Sequence, residues 1–349
     1  MGKLKCLVTG NHGFIGHLLV NKLLYLGHDV TGLDCDYFPT TVFAHHDLVN
    51  SSSHIPQLRV DIRDLRSKDL TGFDAVLHLA ALPNDPASYL SPSVTEDINF
   101  LATFGLATEA KRAGVKRFIY ASSCSVYGAN GERLINENSR VAPLTPYAIS
   151  KLNSEISLLL MSSEDFAVTI MRNATCYGAS PRMRFDMVLN NFIGYAVTEG
   201  KIKIFSDGSA WRPLVHVEDV AESYSIALEA EVRDVCSQIF SIGSQNYKIS
   251  DLAYVAQSVS KDSEIEFVPG GQRDNRSYRI NFSKAEKILG FRPKWTAIQG
   301  AKEVLDACRS FGLNRENFKD RMFWADKNFE YLREKSLIDP SFRFVERSR

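Results

Sequence analysis

Apolar and polar positions along this chain follow two alternating rhythms. Short, nearly continuous apolar runs are each followed by a stretch with helical spacing, and the alternation holds through the first half. Lys3–Thr9 predicts a first strand ending at Gly10, and His17–Gly27 a helix. Asp29–Leu33 predicts a second strand, Leu58–Asp61 a third and Asp74–Ala81 a fourth. The fourth is apolar almost throughout, as a parallel strand buried on both faces should be. Ser93–Ala113 has helical spacing, with Ile98, Leu101, Gly105 and Ala110 among its inner positions, and Lys116–Ala121 follows as a fifth strand. A helix over Tyr147–Leu160 and a strand over Ala167–Arg172 continue the series. Strands and helices alternating at this length predict an α/β fold with a doubly wound parallel sheet.

After Arg172 the rhythm breaks. Asn173–Asp186 reads as a polar loop carrying Arg182 and Arg184, and Met187–Glu199 as a helix. Residues 36–54 have no period and read as a loop. Near the C-terminus, Phe318, Met322, Ala325, Phe329 and Leu332 recur at helical spacing, so residues 314–349 are expected to pack on the body. A length of 349 residues suits one large domain or two that share a cleft.

Composition narrows the class. Hydrophobic residues make up 44% and charged residues 23%, which is ordinary for a globular chain. The 41 basic residues balance the 41 acidic ones, which argues against a nucleic-acid or polybasic membrane partner. Met1–Val8 runs straight into a strand pattern, so no signal peptide is expected. No apolar run approaches the roughly 18 residues of a membrane span. Six cysteines are scattered without a C-x-x-C, as free thiols of a cytoplasmic protein would be, and no metal site is expected.

Three stretches carry chemistry. Gly10-Asn11-His12-Gly13-Phe14-Ile15-Gly16 lies between a strand and a helix. Gly10 permits a tight turn, Gly13 lets backbone N–H groups approach a pyrophosphate, and Gly16 lets the helix sit close to the strand. Asp34 ends the second strand, where an acid accepts the ribose hydroxyls of an adenosine and repels a 2′-phosphate. With no Arg or Lys at 35–38, this favours NAD over NADP. His78, inside the fourth apolar run, reads as a hydrogen-bonded core residue. In Thr145-Pro146-Tyr147-Ala148-Ile149-Ser150-Lys151, Thr145 is a helix cap and Pro146 the first helical residue. Tyr147 and Lys151 then share one face, where the ammonium is expected to make the phenol easier to deprotonate. Alone, that spacing is met on many solvated helix surfaces; Ser122 and Ser123 at the end of the fifth strand, and the glycine turn, give it weight. Arg182, Arg184, Arg212 and Arg276 lie in loop-like surroundings suited to gripping an anion, although any one alone reads as solvent-facing.

Taken in order, these motifs resemble the extended short-chain dehydrogenase/reductases that act on nucleotide sugars. The resemblance rests on Thr9-Gly10-x-x-Gly13-Phe14-Ile15-Gly16, Asp34, Asp61-Ile62, His78-Leu79-Ala80-Ala81, Ser122-Ser123-x-x-Val126-Tyr127-Gly128 and Tyr147-x-x-x-Lys151. Arg212-Pro213-x-x-His216-Val217-x-Asp219-Val220 and Gly290-Phe291-Arg292-Pro293 extend it; the last forty residues lie outside it. It implies a Rossmann-type NAD-binding domain (1–172 and 213–243) and a smaller nucleotide-sugar-binding domain (173–212 and 244–349). It implies NAD contacts at Gly10, His12, Gly13, Phe14, Ile15, Asp34, Asp61, Ile62, Leu79, Ala80, Ala81, Tyr147 and Lys151. Ser123, Tyr147, Thr175, Asn190, Arg212 and Arg276 would face the substrate, with Ser123 binding the reacting hydroxyl and Tyr147 taking its proton. Lys151 would bind the nicotinamide ribose and hold the tyrosine's pKa down, and the two arginines would clamp a diphosphate.

Departures shape the expected reaction. The 4,6-dehydratases of that family carry Thr-Asp-Glu where this chain has Ser123-Cys124-Ser125, so the acid and base for elimination are missing. Thr175 stands where many relatives have Asn, and Arg212-Pro213 where many have Arg-Asp. The resemblance thus implies an NAD-dependent nucleotide-sugar 4-epimerase working through a transient 4-keto sugar. C4 dehydrogenation or ketoreduction and 4,6-dehydration are the alternatives within the family, and a non-catalytic NAD sensor lies outside it. Helices 94–112 and 146–161 carry apolar residues beyond one core-facing stripe, and in the family they pair across a two-fold, so a homodimer is expected.

Overall fold

The computed structural model describes residues 2–38, 43, 54–270 and 276–345. Most of the predicted 36–54 loop therefore lies outside the described residues, as do residues 271–275 beside Arg276. Seven parallel strands form the central sheet: β1 (Lys5–Thr9), β2 (Asp29–Leu33), β3 (Gln57–Leu58), β4 (Ala75–His78), β5 (Arg117–Ser123), β6 (Ala167–Asn173) and β7 (Gln238–Ile242). Their order across the sheet is β7-β6-β5-β4-β1-β2-β3. The chain winds outward from β1 in one direction and from β4 in the other, so a crevice opens between the carboxyl ends of β1 and β4. Register brings Thr9 beside His78, His78 beside Tyr120, and Ser123 beside Asn173.

Both faces of the sheet are covered, which is why its strands read as unbroken apolar runs. On one face Cys6, Val8, Leu77 and Ile119 pack with Leu19 and Leu23 of α1 (Gly16–Tyr25) and with Val220 and Tyr224 of the helix Val217–Glu229. On the other, Leu7, Val76, Phe118 and Tyr120 pack with Ile98, Leu106, Leu158 and Phe329. His78 is a buried core residue between Thr9 (2.7 Å) and Thr103 (2.8 Å), and burial pushes its imidazole down to about 3. All six cysteines are free.

Several expected elements differ. Residues 92–112 are not one α-helix: Pro92–Glu96 and Ala102–Arg112 are joined by a π-helical turn at Asp97–Leu101. The buried set steps by four, through Val94, Ile98, Ala102, Leu106 and Ala110. Each such step overshoots a 3.6-residue turn by about 40°, and the wider π-turn absorbs the accumulated lead. Leu101 and Gly105, expected inside, consequently face outward. The third strand stops at Leu58; Asp61 instead caps a 3₁₀ turn by accepting from Arg63 N at 2.9 Å. The expected 173–186 loop contains the short strand Thr175–Tyr177, which runs parallel to Trp211–His216, itself antiparallel to Gln245–Lys248. Three residues are too few to show a period. Phe318, Ala325, Phe329 and Leu332 are buried as expected, but only Ala325–Glu334 is α-helical; Phe318 and Met322 sit in 3₁₀ turns.

The glycine turn has the least steric slack in the fold. Gly10 adopts φ +71°, and a Cβ on Gly16 would stand 2.2 Å from Gly10 O and 2.7 Å from Asn11 Cα, both backbone atoms. Gly16→Ala is expected to destabilise the protein by about 1–3 kcal/mol, the usual cost of overpacking. A denaturant midpoint equal to the parent's would contradict this reading of the turn.

Candidate active site

The crevice holds a cavity of about 990 Å³, at the large end for ligand sites. Gly10, His12, Gly13, Phe14, Ile15, Asp34, Asp61, Ile62, Leu79, Ala80 and Ala81 line one end of the expected site, and Ser123, Tyr147, Lys151, Thr175, Arg212 and Arg276 line the rest. Asn190 does not belong among them. It is fully buried, accepting from Gly178 N (3.0 Å) and donating to the carbonyls of Gly178 (3.0 Å) and Arg184 (3.1 Å). It shapes the loop beneath the cavity, and the next residue, Asn191, reaches the cavity instead.

The helix Pro146–Met161 positions the reacting groups. Thr145 caps it by accepting from Ala148 N at 3.1 Å, and its hydroxyl donates to Asp85 at 2.6 Å. Ser123, at the last position of β5, is hydrogen-bonded with the Tyr147 hydroxyl. Lys151 is buried, and its Nζ donates to Ala121 O at 2.8 Å while lying 5.7 Å from the Tyr147 ring centroid. Burial pushes this amine down to about 7, against the partial support of Glu155.

The expected effect of Lys151 on Tyr147 is reversed in this protein. Burial, then Asp85, raises the phenol well above its ordinary value; Arg184 and the Ser123 hydrogen bond pull the other way. The lysine's proton is itself destabilised by burial and its hydrogen bond is committed to a backbone carbonyl. Lys151 is therefore the group poised to exchange a proton near neutral pH, and Tyr147 is the acid it sits beside.

Behind both lies a buried ion pair that sequence reasoning missed. Arg172 grips Glu155 with Nη2 at 2.6 Å from Oε2 and Nε at 3.0 Å from Oε1, and Ser122 donates to the same carboxylate. Arg172 also donates to the Tyr127 hydroxyl at 3.0 Å, which meets Ser241 at 3.1 Å. The available signal was spacing: Glu155 is one turn beyond Lys151 on the same helix face.

The arginines divide between the two ends of the cavity. Arg184 forms a two-pronged bond to Asp186 (2.9 and 2.8 Å), and Asn84 donates to the same carboxylate. Arg182 lies 4.0 Å from the Phe38 ring centroid and donates to Met183 O at 2.8 Å; burial pushes it down to about 9. Arg182 also acts electrostatically on Asp34, a cation that counting neighbours at 35–38 could not reveal. Arg212 and Arg276, 64 positions apart, meet where Arg212 donates to Arg276 O, and Arg276 pairs with Asp85. Asp34 accepts from Asp36 N (2.9 Å) and His12 N (3.3 Å), so it closes the turn as well as facing the cavity.

The residues present suit a dinucleotide and a polyhydroxylated ligand. A Cβ on Gly10 would meet Ala80 N at 2.8 Å, so backbone alone closes the crevice there. Ser125 Oγ and Asn173 Oδ1 are buried beside the cavity with no hydrogen-bond partner in the protein. A doubly wound sheet, a glycine turn at its switch point and a Ser–Tyr–Lys set at the end of β5 define a dinucleotide-dependent enzyme class. The family model for the NAD dependent epimerase/dehydratase family matches residues 6–243, and the chain belongs to that family. Its cofactor is NAD. The chain is 30% identical over 318 residues to a UDP-glucose 4-epimerase of Mycolicibacterium smegmatis, covering 88% of this chain and 99% of that protein. It is 28% identical over 337 residues to a UDP-glucuronate 4-epimerase of Thermodesulfobacterium geofontis, covering 94% and 98%. Among solved structures it resembles a UDP-glucuronic acid 4-epimerase from Bacillus cereus in complex with UDP-glucuronic acid and NAD, with a TM-score of 0.76 at 27% identity over 88% and 99% of the two chains.

Two predictions follow from the buried charges. The folded value for Lys151 lies below its ordinary 10.5, so between about pH 7 and 10.5 the unfolded chain holds a proton that the folded chain lacks. Stability from this group therefore rises with pH across that window. Replacing it, as Lys151→Met, is expected to flatten the slope of unfolding free energy against pH by up to about 1.4 kcal/mol per unit; parallel slopes in urea titrations would refute the assignment. Arg172→Met, which strands the Glu155 carboxylate, is expected to cost about 3–5 kcal/mol in the same measurement.

Proposed function

We propose that this protein is an NAD-dependent nucleotide-sugar 4-epimerase. The observation that carries the reading is the state of the two positions after Ser123. Cys124 is turned into the core, where its thiol donates to Arg172 O at 3.2 Å and burial raises its pKa well above the ordinary value. Ser125 faces the cavity with a hydroxyl that does not ionise at working pH. The Ser–Tyr–Lys set for reversible oxidation is thus assembled without the acid–base pair that eliminating water would need there.

NAD⁺, when bound, accepts hydride from C4 of the sugar and returns it. The protein's own groups do the rest. Ser123 holds the C4 hydroxyl, and Tyr147 exchanges its proton. Lys151, neutral for much of the time near pH 7, is the buried acceptor one turn away that lets the tyrosine shed its own proton first. Arg212 and Arg276 face the substrate's diphosphate, and rotation of the 4-keto sugar between the two hydride transfers inverts C4. Residues 1–172 with 213–243 serve NAD, and 173–212 with 244–349 serve the nucleotide sugar. C4 oxidation or reduction without inversion uses the same groups and is separated by its product.

The same proposal includes a homodimer in the cytoplasm. Leu101 and Phe104 on one helical segment, and Ile149, Ile156 and Leu160 on the other, are 43–84% exposed and form an apolar surface with no cover in the single chain. Among the described residues no helix is long and apolar enough to cross a membrane. A concentration-independent monomer mass in light scattering would remove the dimer from this reading.

Tyr147→Phe is expected to keep NAD and nucleotide binding while lowering turnover by about 10²–10⁴. With the parent protein, substrate and C4 epimer should equilibrate without net absorbance at 340 nm. Stoichiometric NADH would establish the dehydrogenase alternative instead, and absence of isotope exchange at C4 with every nucleotide sugar offered would sink the enzymatic reading.

A further inference from the structure

The segment after Trp324 has no part in the chemistry above and lies beyond the stretch matched by the family model. The match to the mycobacterial relative uses 99% of that protein but only 88% of this chain, so this chain carries an addition that the relative lacks. Structurally the segment is not peripheral. Ala325, Asp326 and Phe329, on the helix Ala325–Glu334, line the same cavity as Asp34, Tyr37 and Asp61.

We propose that residues 324–345 form a strap across the adenosine end of the cofactor cleft and retain bound NAD. The proposal rests on the NAD reading of Asp34 and the glycine turn, but not on the reaction performed. An adenosine whose ribose reaches an acid at the end of β2 has its base between the ends of β2 and β3. The strap is fastened to both of those ends and to the space between them.

At the β2 end the fastening is aromatic. Phe329 meets the edges of Tyr37 (centroids 5.2 Å apart) and Phe38 (5.7 Å), and stacks on Phe342 at 5.3 Å. Phe344 stacks on the other side of the cluster against Tyr37 at 5.3 Å. Backbone contacts lock the register: the Tyr37 hydroxyl donates to Phe342 O, and buried Asn328 donates to Tyr37 O at 2.8 Å. At the β3 end it is ionic. Arg63 donates to Ser341 O at 2.8 Å, and Arg343 reaches Asp64 at 2.7 Å and Asp61 at 4.0 Å. A short return holds residues 337–345 together, with Asp339 N donating to Arg343 O (2.8 Å) and Val345 N to Leu337 O (3.0 Å). The two fastenings differ in kind. The aromatic one is largely buried, whereas the Arg343–Asp64 pair is exposed enough to be screened by salt. A strap hinged on apolar packing and latched by an exposed ion pair opens from the latch.

The test measures release of NAD from holoenzyme, by chasing bound radiolabelled NAD with excess unlabelled NAD. Arg343→Glu places like charges at Asp61 and Asp64 without touching the core, and Phe329→Ala removes the ring at the hinge. Both are expected to speed release by at least about tenfold while UDP binding stays within about twofold, since affinity changes of this kind fall on the dissociation rate. Release from the parent should also quicken with added salt. Should Phe329→Ala fail to fold, Arg343→Glu, on an exposed residue, decides the matter alone. Release from folded Arg343→Glu within twofold of the parent overturns the strap and leaves the NAD assignment standing; a parent protein that holds no NAD overturns both.

Discussion

The buried ion pair between Glu155 and Arg172 is the constraint on which the site depends. Glu155 belongs to the helix that carries Tyr147 and Lys151, and Arg172 to β6, so their two-pronged bond fixes that helix against the carboxyl ends of β5 and β6. Ser122 on β5 joins the same carboxylate, which sets the strand that delivers Ser123. Such a pair adds little net stability, because desolvating two charges offsets most of their attraction. Its effect is on geometry: neither partner can shift without leaving a charge unpaired in the core. The pair also sets the field at Lys151, where burial lowers the amine and Glu155 restrains the fall.

Charge is handled elsewhere in the cavity by the same rule. Arg184 is held by Asp186, Arg276 by Asp85, and His12 by Asp36 at 2.6 Å. Asp85 sits where three functions meet: it receives the Thr145 hydroxyl at the helix cap, pairs with an arginine expected at the diphosphate, and raises the Tyr147 phenol. A diphosphate arriving at Arg276 competes with Asp85 for the guanidinium, which links occupancy at that end of the cavity to the electrostatics of the tyrosine.

The sheet was legible because its signals are local and repeated. Apolar strands, the glycine turn and the Thr145–Pro146 cap are each fixed by a few neighbours in sequence, and they appear within a few residues of their expected ends. The site was legible as far as its motifs reach: Ser123, Tyr147 and Lys151 converge, and the separated arginines meet. What stayed hidden depends on distance through space. Asn190 looked like a polar residue on a helix facing the site, but helix rotation points it at the Gly178 turn and gives the cavity to Asn191. The sign of the Lys151–Tyr147 interaction depends on burial, which spacing does not encode. Arg182 approaches Asp34 from nearly 150 residues away, and the partners of the C-terminal aromatic residues lie in β2's end loop, so neither could be paired by inspection of the chain.

The π-helical turn at Asp97–Leu101 makes subunit pairing a matter of chain length. By absorbing the lead of a four-residue repeat, it keeps Ile98 and Ala102 in the core while Leu101 and Phe104 stay outside. Deleting one residue there restores α-helical phasing and rotates all that follows by about 100°. That single-codon loss would turn the apolar outer face toward the core and bring polar positions to the surface. Association is thereby tied to the reading register of one helix, and a drop in molecular mass in solution would record the change.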